Sequence, residues 1–559
     1  MRKQFIFLSI VLPLIFAAAA IFIDSSFWFS FVILVPLIIL GYYDLNQTKH
    51  AINRIFPIIG HARYLLEEIR PEINQYFIES NHDGKPFSRE ERSVVYQRAK
   101  NVLDTLPFGT QHDVYQSGYE WVSHSLAAKH IDPSTMRVKI GSSQCLHPYS
   151  ASILNISAMS YGSLSKTAIE ALSSGAKMGN FAHNTGEGGI SPYHKRGGAD
   201  LIWQIGTGYF GCRTEDGGFC EKQFAEKASD DQVKMIELKL SQGAKPGHGG
   251  ILPGAKVTQE IADIRSVPVG KDVLSPPTHK TFDNPIGLLH FIKKLRDLSG
   301  GKPVGFKISI GNRSEFIGIC KAIVQTGIYP DFISVDGGEG GTGAAPLEFT
   351  NHMGEPGTES VLFVSNILRG FGIRDEIKVI ATGKIADAFD MVKRLAIGAD
   401  IIYSARAMML AIGCIQALRC NSNFCPSGVA TTDESLYKGL VVEDKNVRVY
   451  NYHRNTVKAF AEILGAMGLE KSEALRPWHI KRRIDSTSVR TYFDIYTFLE
   501  HGQLLDDKNV PKVFRMPFYL SSAESFVPDY INCKEHLQND LPELNYFLKM
   551  QKLQDDSLI

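Results

Sequence analysis

The sequence predicts an α/β protein built on a (β/α)8 TIM barrel, preceded by an N-terminal transmembrane helical hairpin and a helical cap segment. From about residue 150, short apolar runs alternate with helical patterns over about 300 residues, as in a parallel sheet covered by helices. Glycine, cationic and cysteine residues cluster directly after those runs, at the edge where barrels carry their chemistry. A doubly wound sheet is the alternative, but no GxGxxG string follows the first apolar run.

On this interpretation the chain has four parts. We expect the hairpin in residues 1–45, a helical N-terminal segment in 46–149, the barrel in 150–480 and a helical C-terminal extension in 481–559. Neither the N-terminal segment nor the C-terminal extension carries a recognisable motif, so we interpret both as packing elements.

Composition excludes several classes of protein. Lys and Arg total 60 against 59 Asp and Glu, a net charge of +1, so we expect no nucleic-acid partner for the protein as a whole. A 44% hydrophobic and 21% charged composition is that of an ordered globular protein. Eight cysteines in 559 residues are too few for a disulfide scaffold.

Two apolar runs, residues 4–23 and 27–43, precede all other elements. Each is close to the ~20 residues that cross a bilayer as a helix, and the polar residues 24–26 form the turn between them. Positive charge on both outer flanks places both ends in the cytoplasm. We therefore expect an inner or cell membrane protein whose catalytic domain faces the cytoplasm; a signal peptide is the alternative interpretation.

The barrel prediction depends on a series of predicted strands and helices. The predicted buried strands are residues 155–159, 235–240, 303–310, 331–336, 377–382 and 399–404. The predicted helices are residues 163–178, 314–326, 359–371, 385–396 and 405–417.

Three closely spaced cysteines give the strongest chemical signal. Cys414, Cys420 and Cys425 lie within 12 residues, and Pro426 follows the last. Thiolates at this density suit an iron–sulfur cluster, and three without a fourth suggest a [3Fe–4S] centre. Zinc is an alternative, but it needs a fourth ligand and the segment has no His. Buried thiols without a metal are the remaining alternative.

Glycine at the ends of three successive predicted strands gives the second signal. A glycine-rich string fills residues 336–343, and Gly383-Lys384 and Ser404-Ala405-Arg406 follow the next two strands. The last two each precede a helix, whose free N–H groups attract phosphate. Together they predict a phosphorylated cofactor, and a flavin beside an iron–sulfur centre implies electron transfer.

A third group of residues is charged. Lys239 and Lys245 flank a glycine-rich loop, and Arg265 follows about 20 residues later; such cations would hold a carboxylate substrate. Lys307 lies inside an apolar run, where it could stabilise the negative charge of a reduced flavin or form an ion pair lining the barrel. Glu187 lies between glycines after a strand and is either an acid–base or orienting group or a solvated loop acid.

In this order, the residues resemble the synthase domain of glutamate synthase. The matching strings are residues 158–165, 184–189, 242–250, 341–346 and 414–431, and the resemblance covers about residues 150–435. The most specific are QGAKPG at 242–247 and the Cys-x₅-Cys-x₄-Cys-Pro string. The resemblance implies FMN in a (β/α)8 barrel, a [3Fe–4S] cluster, and reduction of the imine formed from 2-oxoglutarate and ammonia to L-glutamate.

The resemblance also implies roles for individual residues. Cys414, Cys420 and Cys425 would ligate the cluster, Lys245 and Arg265 would hold the 2-oxoglutarate carboxylates, and Glu187, Lys239 and Lys245 would be catalytic. The residues expected around FMN are Met159, Ser160, Lys239, Gln242, Lys307, Gly341, Gly343, Gly383, Lys384 and Arg406.

The chain also departs from the family. His248 stands where the family has an acidic residue, and Ile251 stands where it has a Gln that helps to bind 2-oxoglutarate. This leaves open another amine or 2-oxo acid, as in N-methylglutamate-forming enzymes, or a membrane-bound electron-transfer module without turnover. We expect neither the glutaminase domain nor the C-terminal β-helix domain of glutamate synthase. Ammonia would come free or from a partner, and electrons from ferredoxin or an NAD(P)H-oxidising subunit.

Overall fold

A computed structural model describes residues 1–102 and 104–530 of the chain. Its contacts divide the chain into two compact units, Met1–Glu90 and a second unit that begins at Glu91.

The first unit is helical. Two long helices, Arg2–Phe22 and Phe31–Asn46, are followed by the shorter helices Ala51–Ile55 and Gly60–Ile73. The long helices pack against each other where the Ser9 hydroxyl and the Tyr42 hydroxyl lie 3.0 Å apart. The helical segments Arg2–Phe22 and Ser25–Asn46 are long and apolar enough to cross a membrane, and only 6% of each apolar window is buried within the protein.

The second unit is organised around a closed barrel of eight parallel strands. We number them β1 (Leu154–Ile156), β2 (His183–Asn184), β3 (Leu201–Ile205), β4 (Val233–Lys239), β5 (Val304–Ile308), β6 (Phe332–Asp336), β7 (Lys378–Thr382) and β8 (Ile401–Ser404). The barrel closes where β8 pairs with β1, Ile402 opposite Leu154. This closure confirms the TIM barrel and excludes the doubly wound sheet.

Helices follow the strands around the barrel. The main ones are Lys166–Gly179, Pro192–Gly197, Glu221–Ala228, Gln259–Arg265, Pro285–Leu298, Arg313–Thr326, Gly357–Gly370, Ala388–Ala396, Arg406–Ala411 and Val442–Ala466. Several begin at a side-chain cap: Ser165 accepts a hydrogen bond from the Ala168 N–H, and Asp387 accepts one from the Asp390 N–H. Such caps satisfy N–H groups that have no partner within the helix.

All six predicted strands are barrel strands, and each of the five predicted helices overlaps a helix of the structure. The predicted and observed bounds differ most for the last helix, predicted over 405–417. It ends at Ala411, because the segment that carries the cysteines leaves the helix. The sequence analysis missed β2 and β3. Strand β2 has only two residues, both polar, and β3 carries Gln204, which faces a buried carboxylate instead of an apolar core.

The segments outside the barrel mix helices and strands. Strand Ile480–Arg483 lies between Glu120–Val122 and Val489–Thr491 in an antiparallel sheet, and Arg137–Ile140 pairs with Tyr149–Ser152. The helical prediction for residues 46–149 and 481–559 is therefore incomplete for the described part of each segment, and residues 531–559 lie outside the described residues.

Candidate active site

Four charged side chains meet at the carboxyl end of the barrel strands. We define the substrate cluster as Glu187, which follows β2, Lys239 at the end of β4, and Lys245 and Arg265 from the segment after β4. The Lys239 Nζ atom lies 2.8 Å from Glu187 Oε1, and the charges of Lys245 and Arg265 also act on Glu187. Glu187 is therefore an ion-paired group and not a solvated loop acid.

Electrostatics in the substrate cluster follow from burial and proximity. Burial alone raises the pKa of Glu187, but Lys239, Lys245 and Arg265 outweigh it and keep the pKa below its ordinary value. Burial and the charge of Lys239 lower the pKa of Lys245 to about 8, against the opposing charge of Glu187. Burial lowers the pKa of Arg265 to about 10. At neutral pH the cluster thus holds one negative and three positive charges.

Two of these cations keep donors free for a ligand. Among the described residues, Lys245 Nζ donates to the Ala344 carbonyl alone, at 3.0 Å, which leaves two of its N–H bonds available. Arg265 donates to the Tyr161 carbonyl at 3.0 Å and more weakly to the Ser160 hydroxyl at 3.4 Å, while its buried Nε has no partner among the described residues. A buried donor without an acceptor is costly, so an anionic ligand would relieve it.

Close packing of glycine positions the Glu187 carboxylate. A Cβ added to Gly250 would lie 2.6 Å from Glu187 Oε1, and one added to Gly206 would lie 2.6 Å from Oε2. Any side chain at either position would displace the carboxylate. The predicted residues Met159 and Ser160 lie on the neighbouring loop, since a Cβ on Gly186 would contact both.

Lys307 forms an ion pair across adjacent strands. Its Nζ lies 3.0 Å from Asp336 Oδ2, which also accepts the Gly243 N–H at 3.0 Å. Burial lowers the pKa of Lys307, but Asp336 and Glu237 outweigh it and raise the pKa above its ordinary value. Lys307 stays charged in the barrel, and the ion-pair interpretation of this residue matches the geometry.

The glycine-rich loops approach one another backbone to backbone. A Cβ on Gly243 would lie 1.7 Å from the Gly337 carbonyl oxygen, so only glycine fits there. Gly341 lies against Arg406, where a Cβ would be 2.4 Å from Nε, whereas Gly343 faces open space.

The loops after β7 and β8 offer backbone donors. In the described part of the chain, the N–H groups of Lys384, Ile385, Ala405 and Arg406 have no hydrogen-bond acceptor. Gly383 and Lys384 have positive φ values of 106° and 50°, which turn this loop at the strand end. Free N–H groups at these two loops are what a phosphate requires, so this face fits FMN. Gln242 contributes a carbonyl, which accepts the Lys245 N–H at 3.3 Å.

The three cysteines form a second group, which we name the cysteine loop (residues 414–425). Cys420 and Cys425 lie close enough to Cys414 to interact with it electrostatically, and Arg406 Nη1 lies 3.8 Å from Cys420 Sγ. Burial raises the pKa of Cys414 to about 11. Burial also acts to raise the pKa of Cys425, but hydrogen bonds from Ser427 and from nearby backbone N–H groups lower it overall.

The residue types of the cysteine loop fit an iron–sulfur cluster. Cys414, Cys420 and Cys425 are all free thiols, and cysteine thiolate is the ligand that holds iron–sulfur clusters in proteins. The loop therefore offers three ligands of the kind that such a cluster needs.

Three important residues were missed from the sequence. Asp336 pairs with Lys307. Glu237, fully buried in β4, accepts hydrogen bonds from Asn184, Gln204 and Ser334. Lys256 donates to the Cys420 carbonyl in the cysteine loop. For Glu237 a signal was available, because a charged residue inside an apolar run had already singled out Lys307.

The two departures from the family lie beside the substrate cluster. Ile251 follows Gly250, which contacts Glu187, and its backbone pairs with Leu274 in a two-stranded ladder. The His248 ring lies 5.4 Å from the Phe349 ring and its Nδ1 lies 2.9 Å from the Gly249 carbonyl. Ile251 therefore places an apolar residue directly after the glycine that packs against Glu187.

Comparison with known proteins defines the class. Residues 120–470 match the family model described as "Conserved region in glutamate synthase". The glutamate synthase large subunit-like protein YerD of Bacillus subtilis (strain 168) is 37% identical over 502 residues, covering 82% of this chain and 95% of the relative. The archaeal glutamate synthase [NADPH] of Methanocaldococcus jannaschii is 34% identical over 362 residues, covering 65% and 67%.

The match to complete glutamate synthase is partial. The glutamate synthase [NADPH] large chain of Bacillus subtilis is 31% identical, and the chain covers 20% of its length. The barrel and the family match together define an oxidoreductase of glutamate-synthase type. The chain belongs to the glutamate synthase family.

Proposed function

We propose that the protein catalyses the reductive amination of 2-oxoglutarate to L-glutamate, using ammonia, FMN and a [3Fe–4S] cluster. The single observation that carries this proposal is the charge of the substrate cluster. Glu187 compensates one of the three cations Lys239, Lys245 and Arg265, which leaves two positive charges. Buried charges are stable only when paired, so the site suits a dianion such as 2-oxoglutarate.

The residues of the chain would bind and orient the substrate. Arg265 can hold one carboxylate in bidentate fashion, and Lys245, with two free N–H bonds, can hold the other. Glu187, held by Lys239, lies within the same cluster and can orient the ammonia nitrogen or accept a proton from it. Glycines at 206 and 250 keep this carboxylate in place.

The overall reaction balances without a further reactant beyond the electron donor. Ammonia and 2-oxoglutarate condense to an imine with loss of water, and two electrons and two protons convert the imine to the amine. FMN, when bound, supplies hydride to the imine carbon. The free N–H groups after β7 and β8 would hold its phosphate, and Lys307 would offset negative charge on its ring.

The cluster would connect the flavin to a one-electron donor. Cys414, Cys420 and Cys425 would be its ligands, and ferredoxin or an NAD(P)H-oxidising subunit would supply the electrons. The Methanocaldococcus relative carries NADPH in its name, which supports a nicotinamide as the ultimate donor.

We further propose that the N-terminal hairpin is a membrane anchor. The helices of a soluble core would be mostly buried, whereas 6% of each apolar window is buried here. Full-length protein should stay with membranes after an alkaline carbonate wash, and its intact mass should include residues 1–45. Release by carbonate, or a mass lacking the first helix, would instead support a cleaved signal.

Product analysis tests the proposed function. Full-length protein supplied with a reduced dye, ammonium and 2-oxoglutarate should form glutamate. Pyruvate, a monoanion with the same reacting group, should be at least about tenfold poorer because one cation stays unpaired. Equal rates with both acids would contradict the dianion assignment.

Ile251 favours a second candidate, in which the amine or the 2-oxo acid differs. Its side chain cannot donate a hydrogen bond, so the site lacks a contact that the family uses for 2-oxoglutarate. Methylammonium in place of ammonium, and oxaloacetate in place of 2-oxoglutarate, are the two substitutions to assay. A rate above that of the standard pair with either one would select this candidate.

A further inference from the structure

Lys256 is a buried cation that forms no ion pair with an acid of the described residues. Four lysines are buried in the described residues: Lys239, Lys245, Lys256 and Lys307. Lys239 pairs with Glu187 and Lys307 pairs with Asp336, and Lys245 is acted on by Glu187. Lys256 is 2% exposed, and its electrostatic partners are the sulfurs of Cys420 and Cys425.

The hydrogen bonds of Lys256 join three segments at the carboxyl end of the barrel. Its Nζ donates to the carbonyls of Cys420 at 2.7 Å, Ala430 at 2.8 Å and Ser163 at 3.2 Å. Ser163 lies on the loop after β1, and Lys256 itself lies on the segment that carries Lys245 and Arg265. The three donors of the ammonium are therefore all used, and they link Cys420 within the cysteine loop, and Ala430 beyond its end, to the segment that carries Lys245 and Arg265.

Neutral carbonyls satisfy these donors but do not neutralise the charge. A buried ammonium without a counter-charge is costly. Thiolate and sulfide ligands around iron give a cluster net negative charge, and that charge would lie in the cysteine loop beside Lys256. Nearby positive charge stabilises the reduced, more negative form of a cluster and raises its reduction potential.

We propose that Lys256 is a positioning residue that serves as the counter-charge of the iron–sulfur cluster and raises its reduction potential. The proposal rests on the proposed cluster. In this role Lys256 contacts neither the substrate nor the reacting atoms. It holds the cysteine loop through its hydrogen bonds, and its charge raises the reduction potential of the cluster.

The experiment is a redox titration of the cluster in full-length holoprotein, followed by electron paramagnetic resonance, with iron and flavin contents measured on the same samples. Lys256→Gln keeps N–H donors but removes the charge, and Lys256→Arg keeps the charge. Lys321→Gln is the matched control, because Lys321 also donates to two main-chain carbonyls, those of Phe518 and Ser521, away from the cysteine loop.

We expect Lys256→Gln to retain iron while its cluster equilibrium shifts about tenfold toward the oxidised form, a fall of about 59 mV for one electron. Lys256→Arg and Lys321→Gln should titrate as wild type. Loss of iron in Lys256→Gln with retention in Lys256→Arg would equally support the role of the charge.

Two results would overturn the proposal alone. One is a Lys256→Gln variant with full iron and an unchanged potential. The other is loss of iron in both Lys256 variants, which would mean that Lys256 maintains the structure of the cysteine loop and that its charge is not the decisive property. Wild-type protein that binds flavin but no iron would instead remove the proposed cluster itself, so the two failures are distinguishable.

Discussion

The substrate cluster and the cysteine loop share one face of the barrel, but they treat buried positive charge differently. In the substrate cluster, Glu187 neutralises part of the charge of Lys239, Lys245 and Arg265. Beside the cysteine loop, the hydrogen-bond acceptors of Lys256 among the described residues are carbonyls. Those of Arg406 are the Thr342 carbonyl and the Cys420 sulfur. In the substrate cluster, the positive charge that Glu187 leaves uncompensated matches a dianionic substrate. Beside the cysteine loop, the negative charge that balances Lys256 would come from the proposed iron–sulfur cluster.

The largest expected effect is loss of iron from the cysteine loop while the substrate cluster stays intact. Replacing Cys425 by Ala should reduce cluster iron to background while flavin content and 2-oxoglutarate binding persist, because the thiolate is a proposed cluster ligand and lies outside the substrate cluster. Iron analysis and flavin absorbance check this. Cys320→Ala, which removes a buried thiol from the helix Arg313–Thr326, is the control and should keep its iron. Full iron in Cys425→Ala would refute the ligand assignment.

The next effect concerns binding in the substrate cluster. Lys245→Met should raise the KM for 2-oxoglutarate by about 10- to 100-fold, the range for losing a hydrogen bond to a charged group, with iron content unchanged. Lys227→Met is the control, because Lys227 Nζ donates to the Gly211 carbonyl and lies outside the cluster. Steady-state kinetics with varied 2-oxoglutarate decide the point, and equal KM values for the two variants would contradict a role for Lys245 in binding.

A pH dependence follows from the same residue. Lys245 must be protonated to hold a carboxylate, and its pKa lies at about 8. A cation is lost as pH rises through its pKa, so KM for 2-oxoglutarate should be flat below about pH 8 and rise up to about tenfold per unit above it. A flat KM to pH 9.5 would show that Lys245 is not the titrating group.

The smallest effect tests the contribution of Glu187 to its neighbours. The negative charge of Glu187 raises the pKa of Lys245, so Glu187→Gln should move the alkaline limb of the KM profile to lower pH. The comparison is between pH profiles of the variant and the wild type in the same buffers. A shift to higher pH would mean that Glu187 does not act on Lys245 as the geometry indicates.

Much of the fold could be predicted from the sequence because six barrel strands are apolar runs of ordinary length. Strand β2, His183–Asn184, is too short and polar to give such a signal. Of the site, the cysteines and the glycine-rich loops are visible because their spacing is local. Lys256 was not, because its partners Ser163, Cys420 and Ala430 lie 93 to 174 residues away in sequence. Such a role depends on tertiary contacts that no local pattern encodes.

The most direct test of the proposed function is an anaerobic half-reaction on detergent-purified, full-length protein whose flavin has been chemically reduced. Absorbance is followed after adding 2-oxoglutarate, ammonium, or both. The account predicts reoxidation of the flavin only when both are present, with one glutamate formed per flavin. A flavin that stays reduced in the presence of both substrates would contradict the proposed substrate pair.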